Sequence, residues 1–301
     1  MNRPALPLSL YELETPVPVV DLDRMACNLD RMASYARQHG LDLRPHTKTH
    51  KSPRIAAEQV ERGAVGLTCA TVREVEVMGE VTTDILMAYP PVGAAKLRRL
   101  MEVDNNVRLS VALDSGEALD QLATAASESG RVVGVLVELD LGMRRVGVSS
   151  VTEAIRLARS VTSKPSLKYA GVAFYPGHIR EHVNKHDEQL ASLRRSLDAV
   201  LRDLRSAGVP PGIVSGGSTP TAWRTHEIEG VTEFRPGTYV YNDRTTVEIG
   251  ACDWTDCALT VLATVVSISV PGQAVIDAGS KALGREPLRG SGGGGGGGGL
   301  R

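Results

Sequence analysis

Val132-Val-Gly-Val-Leu-Val137 is apolar on both faces of any strand it forms, and the chain turns polar straight after it, in Glu138-Leu-Asp140-Leu-Gly-Met-Arg-Arg145-Val-Gly147. A strand buried on both sides belongs in a parallel sheet covered by helices, because an antiparallel sandwich alternates apolar and polar residues. Similar short runs rich in Val, Ile and Leu lie on either side: Leu41 to Pro45, Val65 to Cys69, Asp84 to Ala88, Arg108 to Leu113, Tyr169 to Phe174, Ile213 to Ser215 and Thr232 to Arg235. With Val132 to Leu139 they make eight strands. Stretches of helical period separate them, such as Ile155, Leu157, Ala158 and Val161, or the Leu190, Leu193, Leu197, Leu201 and Leu204 stripe. Eight βα units predict an α/β fold of the (β/α)8 TIM type.

Working outward, Val17 to Asp21 reads as a strand and Leu22 to Gln38 as a helix capped at Asp21 or Asp23. Tyr239 to Val270 reads mostly as strand, with Ala258 to Val270 a buried one. The expected organisation is a barrel over 22–238, a partial, C-terminally truncated β-domain from 1–21 plus 239–285, and a disordered Gly-rich tail over 286–301. The glycines at 292–299 begin abruptly after strand-like sequence, the mark of a truncated or frame-shifted product.

Composition narrows the function. The 301 residues carry 34 Lys+Arg against 35 Asp+Glu, for a net charge of −1, which leaves no basic footprint for nucleic acid or an anionic membrane. The longest apolar stretch is too short for a membrane span, which needs about 20 residues. Four scattered cysteines fit a reducing, cytoplasmic setting rather than a disulfide framework. Small-molecule chemistry is the expectation.

Barrels of this type carry chemistry at the C-terminal ends of their strands. The first strand runs into Arg44-Pro-His46-Thr-Lys48-Thr-His50-Lys51, and the sixth into Phe174-Tyr175-Pro-Gly-His178. The seventh meets Ser215-Gly-Gly217-Ser218-Thr219 and the eighth Arg235-Pro-Gly237-Thr238-Tyr239. Either glycine turn alone is an ordinary tight turn. As neighbouring loops they offer bare N–H groups, hydroxyls and a helix start, which is what a phosphate needs. Lys48 is either part of a solvated basic loop or a partly desolvated amine able to form a Schiff base, with Arg44 and Lys51 as the nearby charges expected to depress its pKa. A lysine and a phosphate cup across one barrel mouth point to pyridoxal phosphate.

Other polar groups have plainer readings beside the functional ones. Asp114 and Asp140 orient arginines or a substrate amine, or cap helices. His178, His182 and His186 are spaced to share one helix face, with His178 alone turned to the site. Cys252 and Cys257 lack the second pair a zinc site needs and read as structural.

Taken together, Arg44-Pro-His-Thr-Lys-Thr-His-Lys51, Val65-Gly-Leu-Thr-Cys-Ala70, Asp140-Leu-Gly-Met-Arg-Arg-Val-Gly147, Tyr175-Pro-Gly-His178, Ser215-Gly-Gly-Ser-Thr-Pro220 and Arg235-Pro-Gly-Thr-Tyr-Val-Tyr-Asn-Asp243 resemble the D-threonine aldolase and D-serine dehydratase family. These are fold-type III pyridoxal-phosphate enzymes related to alanine racemase, and the resemblance spans roughly residues 15 to 283. It implies Lys48 as the Schiff-base lysine, with His46, Arg145, Tyr175, Gly217, Ser218, Thr219, Arg235, Gly237 and Thr238 around the cofactor. Arg235 takes the place of an arginine facing the pyridine nitrogen, which would make the cofactor a weaker electron sink. The catalytic set it implies is Lys48, Arg145, Tyr175 and His178. It also implies a divalent metal held by a C-terminal segment. That segment would follow residue 283, where this chain has glycines and no histidine after His226, so the metal is left without ligands.

The function implied is a pyridoxal-phosphate-dependent lyase of β-hydroxy D-amino acids, on the aldolase side, giving glycine and an aldehyde. A D-serine dehydratase-like ammonia-lyase uses the same cofactor motifs. Racemization wants a second acid/base on the opposite cofactor face, for which no candidate stands out, and a non-catalytic cofactor carrier fits loss of the C-terminal segment. Fold-type III relatives imply a homodimer.

Overall fold

In the computed structural model, which describes residues 9–280 and 282–283, the strands are β1 Val17–Val20, β2 Asp42–Leu43, β3 Leu67–Cys69, β4 Asp84–Met87, β5 Arg108–Leu113, β6 Val133–Leu139, β7 Leu167–Phe174, β8 Ile213–Gly216, β9 Glu233–Phe234, β10 Leu259–Leu262, β11 Val265–Ser267 and β12 Val275–Ile276. The helices are α1 Leu22–His39, α2 Pro53–Glu61, α3 Val72–Met78, α4 Ala94–Met101, α5 Gly116–Glu128, α6 Val151–Thr162, α7 His186–Ser206 and α8 Arg244–Glu248. The expected Gly-rich tail at 286–301 lies outside the described residues.

Strands β2 to β9 form one parallel sheet in the order β2-β9-β8-β7-β6-β5-β4-β3. It curls until its two ends meet at a parallel bridge between His46 and Thr68, with Val65 N–H on Leu43 O and Thr68 N–H on Pro45 O, both at 2.9 Å. This is the expected (β/α)8 TIM-type barrel. All eight expected strands are present, seven of them one to three residues shorter or longer than read.

Alternation along each strand divides the core. On β6, Val133, Val135, Val137 and Leu139 pack outward under the helices, whereas Leu136 joins Leu86, Ala112 and Ala173 in a small apolar layer inside the barrel. Outside, the leucines of α7 at 190, 193, 197, 201 and 204 are at most 2% exposed. Helix starts at the mouth are fixed by hydroxyls: the side chains of Ser52, Thr71, Ser115 and Ser150 accept N–H groups at the starts of α2, α3, α5 and α6. Asp21 caps α1 in the same way.

The rest of the barrel interior is a polar column. Arg44 donates from Nη1 to Asp84 Oδ1 at 2.8 Å and from Nε to Glu233 Oε2 at 2.6 Å. Ser215 Oγ donates to Glu233 Oε1 at 2.6 Å, and Arg235 Nη1 donates to Ser215 Oγ at 2.5 Å. Every member is buried, so charge inside the barrel is balanced by fixed partners rather than water.

The outer pieces differ from expectation in two places. β1 pairs antiparallel with β10, and β11 with β12, but Ala258 to Val270 is not one buried strand. It breaks between β10 and β11, and its Val261, Val265 and Val266 are exposed, because among the described residues each is in a two-stranded sheet with an open face. Residues 238–257 are mostly helical turns rather than strand: Asp243 and Thr246 form a reciprocal capping box that starts α8, and a similar box at Asp253 and Asp256 starts a 3-10 turn. No helix among the described residues is long and apolar enough to cross a membrane.

Candidate active site

The strand ends converge on one cleft lined by His46, Lys48, Arg145, Tyr175, Gly217, Ser218, Thr219, Arg235, Gly237 and Thr238, together with Ala88, Tyr89, Glu138 and Pro220. The expected side chains therefore meet in one place, except His178.

Lys48 lies in a 3-10 turn, Thr47–Thr49, that follows β2. The turn is pinned from below. Thr47 is fully buried and donates to Thr68 O, and His46 Nδ1 accepts the Lys48 N–H at 3.4 Å. The His46 N–H donates to Pro236 O, which joins the first and last mouth loops. Lys48 Nζ stands 5.6 Å from the Tyr175 ring centroid, and the Arg145 guanidinium lies over both Tyr175 at 5.0 Å and Tyr89 at 5.3 Å.

Desolvation by the cleft walls lowers the Lys48 pKa, and the charges of Arg145 and Arg235 lower it further against the opposing pull of Glu74. The expected contributors, Arg44 and Lys51, do not supply this. Alternation along the strand turns Arg44 into the barrel, where Asp84 and Glu233 hold it, and Lys51, at φ +50°, turns away to pair with Glu74 at 3.5 Å. His46 is held well below its ordinary pKa by burial and by Lys48, Arg235 and His50, so its ring is neutral.

Two strands along the sheet from β2, β8 gives way to Gly217, whose φ of +91° is one that glycine adopts freely. Ser218 then caps a nine-residue 3-10 helix, Thr219–Glu227, without using its side chain as the cap. Thr219 Oγ1 is buried and has no hydrogen-bond partner. At Gly237 a Cβ would stand 3.1 Å from His46 O, so the loop after β9 presses bare backbone against the first. A buried hydroxyl without a partner among the described residues, at a helix start whose first N–H groups lack intrahelical acceptors, fits a phosphate, and Lys48 in the same cleft fits an aldehyde. These residues fit pyridoxal phosphate.

Arg145 is placed by its loop. Asp140 accepts the N–H groups of Gly142 and Arg144 at 3.0 and 2.9 Å, and Asp114 accepts that of Gly147 at 2.8 Å. The two aspartates thus shape the loop and cap no helix. His178 stands outside the cleft lining, its ring 3.0 Å from where a Cβ on Gly142 would sit, with Nδ1 buried and unpartnered. Burial lowers its pKa while Asp140 opposes. The three histidines do not share a helix face: His178 is in the loop after β7, His182 caps a 3-10 turn at 183–185, and only His186 belongs to α7. Cys252 and Cys257 are free thiols, and no group of three or more His, Cys, Asp or Glu among the described residues could hold a metal.

Of the four lining residues outside the expected set, two carry polar side chains, Tyr89 and Glu138. Tyr89 is a lone aromatic beyond β4 with no local signal. Glu138 had one: counting by twos from Leu136 turns it inward, so a carboxyl at that position must stand inside the barrel mouth. It is 6% exposed, and burial pushes its pKa up to about 7 against the pull of Arg235 and Arg145.

Residues 20–245 match the family "Alanine racemase, N-terminal domain", and residues 258–298 match a "Putative serine dehydratase domain". The chain is 36% identical to D-threo-3-hydroxyaspartate dehydratase of Delftia sp., over 92% of its length and 74% of the relative's. It is 32% identical to D-threonine aldolase of Arthrobacter sp., over 91% of its length and 73% of the relative's. The crystal structure of D-threonine aldolase from Filomicrobium marinum superposes with a TM-score of 0.85 at 32% identity, covering 91% of this chain and 76% of that one. With the site above, these matches establish that the chain belongs to the alanine racemase N-terminal domain family, in its pyridoxal-phosphate-dependent branch of D-threonine aldolases, 3-hydroxyaspartate dehydratases and D-serine dehydratases.

Proposed function

We propose that this chain is a pyridoxal-phosphate-dependent lyase of β-hydroxy D-amino acids, working as an aldolase that splits Cα from Cβ to give glycine and an aldehyde. The observation that carries it is the presence, in one cleft, of the Lys48 amine and of the Thr219 hydroxyl, which has no hydrogen-bond partner among the described residues. Lys48, Ser218, Thr219, Gly237 and Thr238 would hold the cofactor, which supplies an electron sink for the bond that breaks.

The chain's own groups supply orientation and proton handling. The lowered pKa of Lys48 keeps a larger share of its amine neutral and nucleophilic at neutral pH. Arg145, clamped over Tyr89 and Tyr175, presents a fixed guanidinium to a substrate carboxylate. Tyr175 walls the cleft beside Lys48 and keeps water from that side. His178, uncharged at neutral pH and packed against Gly142 in the loop that carries Arg145, is the base assigned here to the β-hydroxyl proton, although it stands outside the cleft lining. One solved relative, a variant of D-threo-3-hydroxyaspartate dehydratase, is described as being in a metal-free form. Among the described residues here, no cluster of side chains fits a metal.

Incubation of the cofactor-loaded protein with D-threonine and D-serine, each with and without added divalent cation, tests the reading by product. Glycine and acetaldehyde are expected. Keto acid and ammonia would move the chain to the dehydratase side. Release of cofactor to an acceptor with no amino acid consumed would replace the lyase with a carrier.

The phosphate assignment has its own check. Thr219→Val keeps the shape and removes the hydroxyl, so affinity for pyridoxal phosphate should fall by about 10- to 100-fold, the worth of a hydrogen bond to a charged group. Affinity for unphosphorylated pyridoxal should not change. Equal losses for both would remove Thr219 from the phosphate site.

A further inference from the structure

Glu138 is a carboxyl in a place where carboxyls are expensive. It stands at the inward register of β6, one layer above Leu136, and is 6% exposed. Its Oε2 is buried without a hydrogen-bond partner. Arg145, Arg235 and Lys48 line the same cleft, yet among the described residues Glu138 makes no ion pair with any of them. Arg235 is occupied with Ser215 and Phe174 O, and Arg145 with the two tyrosine faces. The remaining charged group that bears on Glu138 is Asp114 at the end of β5, which disfavours its ionisation; His46, also in the lining, is neutral. A buried carboxyl whose neighbouring cations all have other engagements is responsive to whatever anion enters beside it.

We propose that Glu138 couples cofactor loading to proton uptake: its carboxyl is ionised in the free cleft at mildly alkaline pH and takes a proton from solvent, at the free Oε2, when an anionic phosphorylated cofactor occupies the site. This rests on the cofactor reading above and goes beyond it. Two effects drive the change in the same direction. Filling the cleft covers what exposure Glu138 still has, and the incoming phosphate adds negative charge among Arg145 and Arg235, the cations that favour the carboxylate. Burial pushes the Glu138 carboxyl up to about 7 in the free protein, so the effect begins near neutrality. Above that pH, loading must draw a proton, and affinity falls as protons become scarce.

The test compares dissociation constants for pyridoxal phosphate, by absorbance titration from pH 6 to 9, in the wild type and Glu138→Gln. Titration of the ligand itself, and of Lys48, whose shift comes from burial, Arg145, Arg235 and Glu74, is common to both proteins and cancels in the ratio. The two constants should agree within about twofold at pH 6, and the wild type should bind about tenfold more weakly than the variant by pH 8.5, since one unit of pKa shift is tenfold in affinity. A ratio that does not change with pH, or a wild type that binds more tightly at high pH, overturns the proposal. Binding by neither protein at any pH sinks the cofactor reading itself.

A second reading needs no ligand. A carboxyl whose folded pKa is raised costs nothing below its unfolded pKa, and destabilises progressively as pH rises to the folded value. Free Glu138→Gln should therefore melt at the same temperature as the wild type at pH 4 and at a higher one at pH 8. A lower melting temperature at pH 8 would show a merely structural role and count against the proposal. In the wild type alone, the loaded-minus-free infrared spectrum at pH 8 should gain the carbonyl stretch of a protonated carboxyl, and its absence would be equally damaging.

Discussion

Lys48→Ala should lower D-threonine cleavage by at least about 10³-fold while leaving the fold intact. The asymmetry comes from where the residue sits. Lys48 is on the exposed side of its 3-10 turn, and the groups that pin that turn, Thr47 and His46, are its buried neighbours. Truncating it breaks no core contact, so stability should stay within about 0.5 kcal/mol of the wild type, as for surface changes away from special features. Removing a cation from beside Arg145 and Arg235 even relieves some like-charge repulsion. The chemistry has no substitute: the cleft lining holds one lysine, and a guanidinium does not replace its amine as the nucleophile. The phosphate loops are untouched, so pyridoxal phosphate should still bind but show the spectrum of the free aldehyde rather than that of the lysine-attached form. Cleavage above about a tenth of the wild-type rate, or an unchanged cofactor spectrum, would remove Lys48 from its role. Loss of binding altogether would mean that attachment, rather than the loops at Gly217 and Gly237, supplies the affinity.

The barrel was legible because its strands are buried on both faces. That condition leaves continuous runs such as Val133 to Leu139, although Val132 just before them is exposed, and the α7 leucines recur at helical spacing for the same reason of burial. The cleft was legible where chemistry demands unusual residues at strand ends, as at Lys48 and the Gly217-Ser218-Thr219 turn. What failed was neighbourhood inferred from sequence distance. Arg44 is four residues from Lys48 but faces the barrel interior, because its partners come from 40 and 189 residues away. Tyr89 reaches Arg145 only because β4 and β6 lie on either side of β5. The three histidines have the spacing of one helix, yet the chain is in loop and 3-10 turn until α7 begins at His186. Past residue 238, strand-forming residues were outweighed by Asp side chains that cap helical turns, and the β-branched run after Ala258 was read as buried although its faces stay open. Hydrophobic pattern reports burial reliably only where something covers the pattern.

Arg44→Met should cost about 3–5 kcal/mol of stability, the loss seen when one partner of a buried ion pair is removed. Through the relation for domains of 150–250 residues, that is a fall in Tm of roughly 6–20 °C. Methionine fills much of the arginine's volume, so the loss is electrostatic rather than a cavity. Glu233 would keep only the Ser215 hydroxyl on Oε1, with Oε2 left in the barrel without its donor. Asp84 would retain Arg108, which is largely solvent-exposed and so a weaker counter-charge. The damage should travel upward, because Glu233 holds Ser215 and Ser215 holds Arg235 Nη1 in the cleft floor. A Glu233 without Arg44 becomes a free carboxylate beside Arg235, and should draw that guanidinium down from the site. Cofactor affinity should fall along with Tm, although residue 44 lies outside the cleft lining. The double variant Arg44→Met, Glu233→Gln separates the two effects. Removing the stranded charge should recover a large part of both losses, since a buried pair replaced as a whole costs far less than a pair broken in half. Recovery of stability without recovery of affinity would mean that the interior column supports the barrel but does not position Arg235. No loss in the single variant would show that water reaches the interior and solvates Glu233 there.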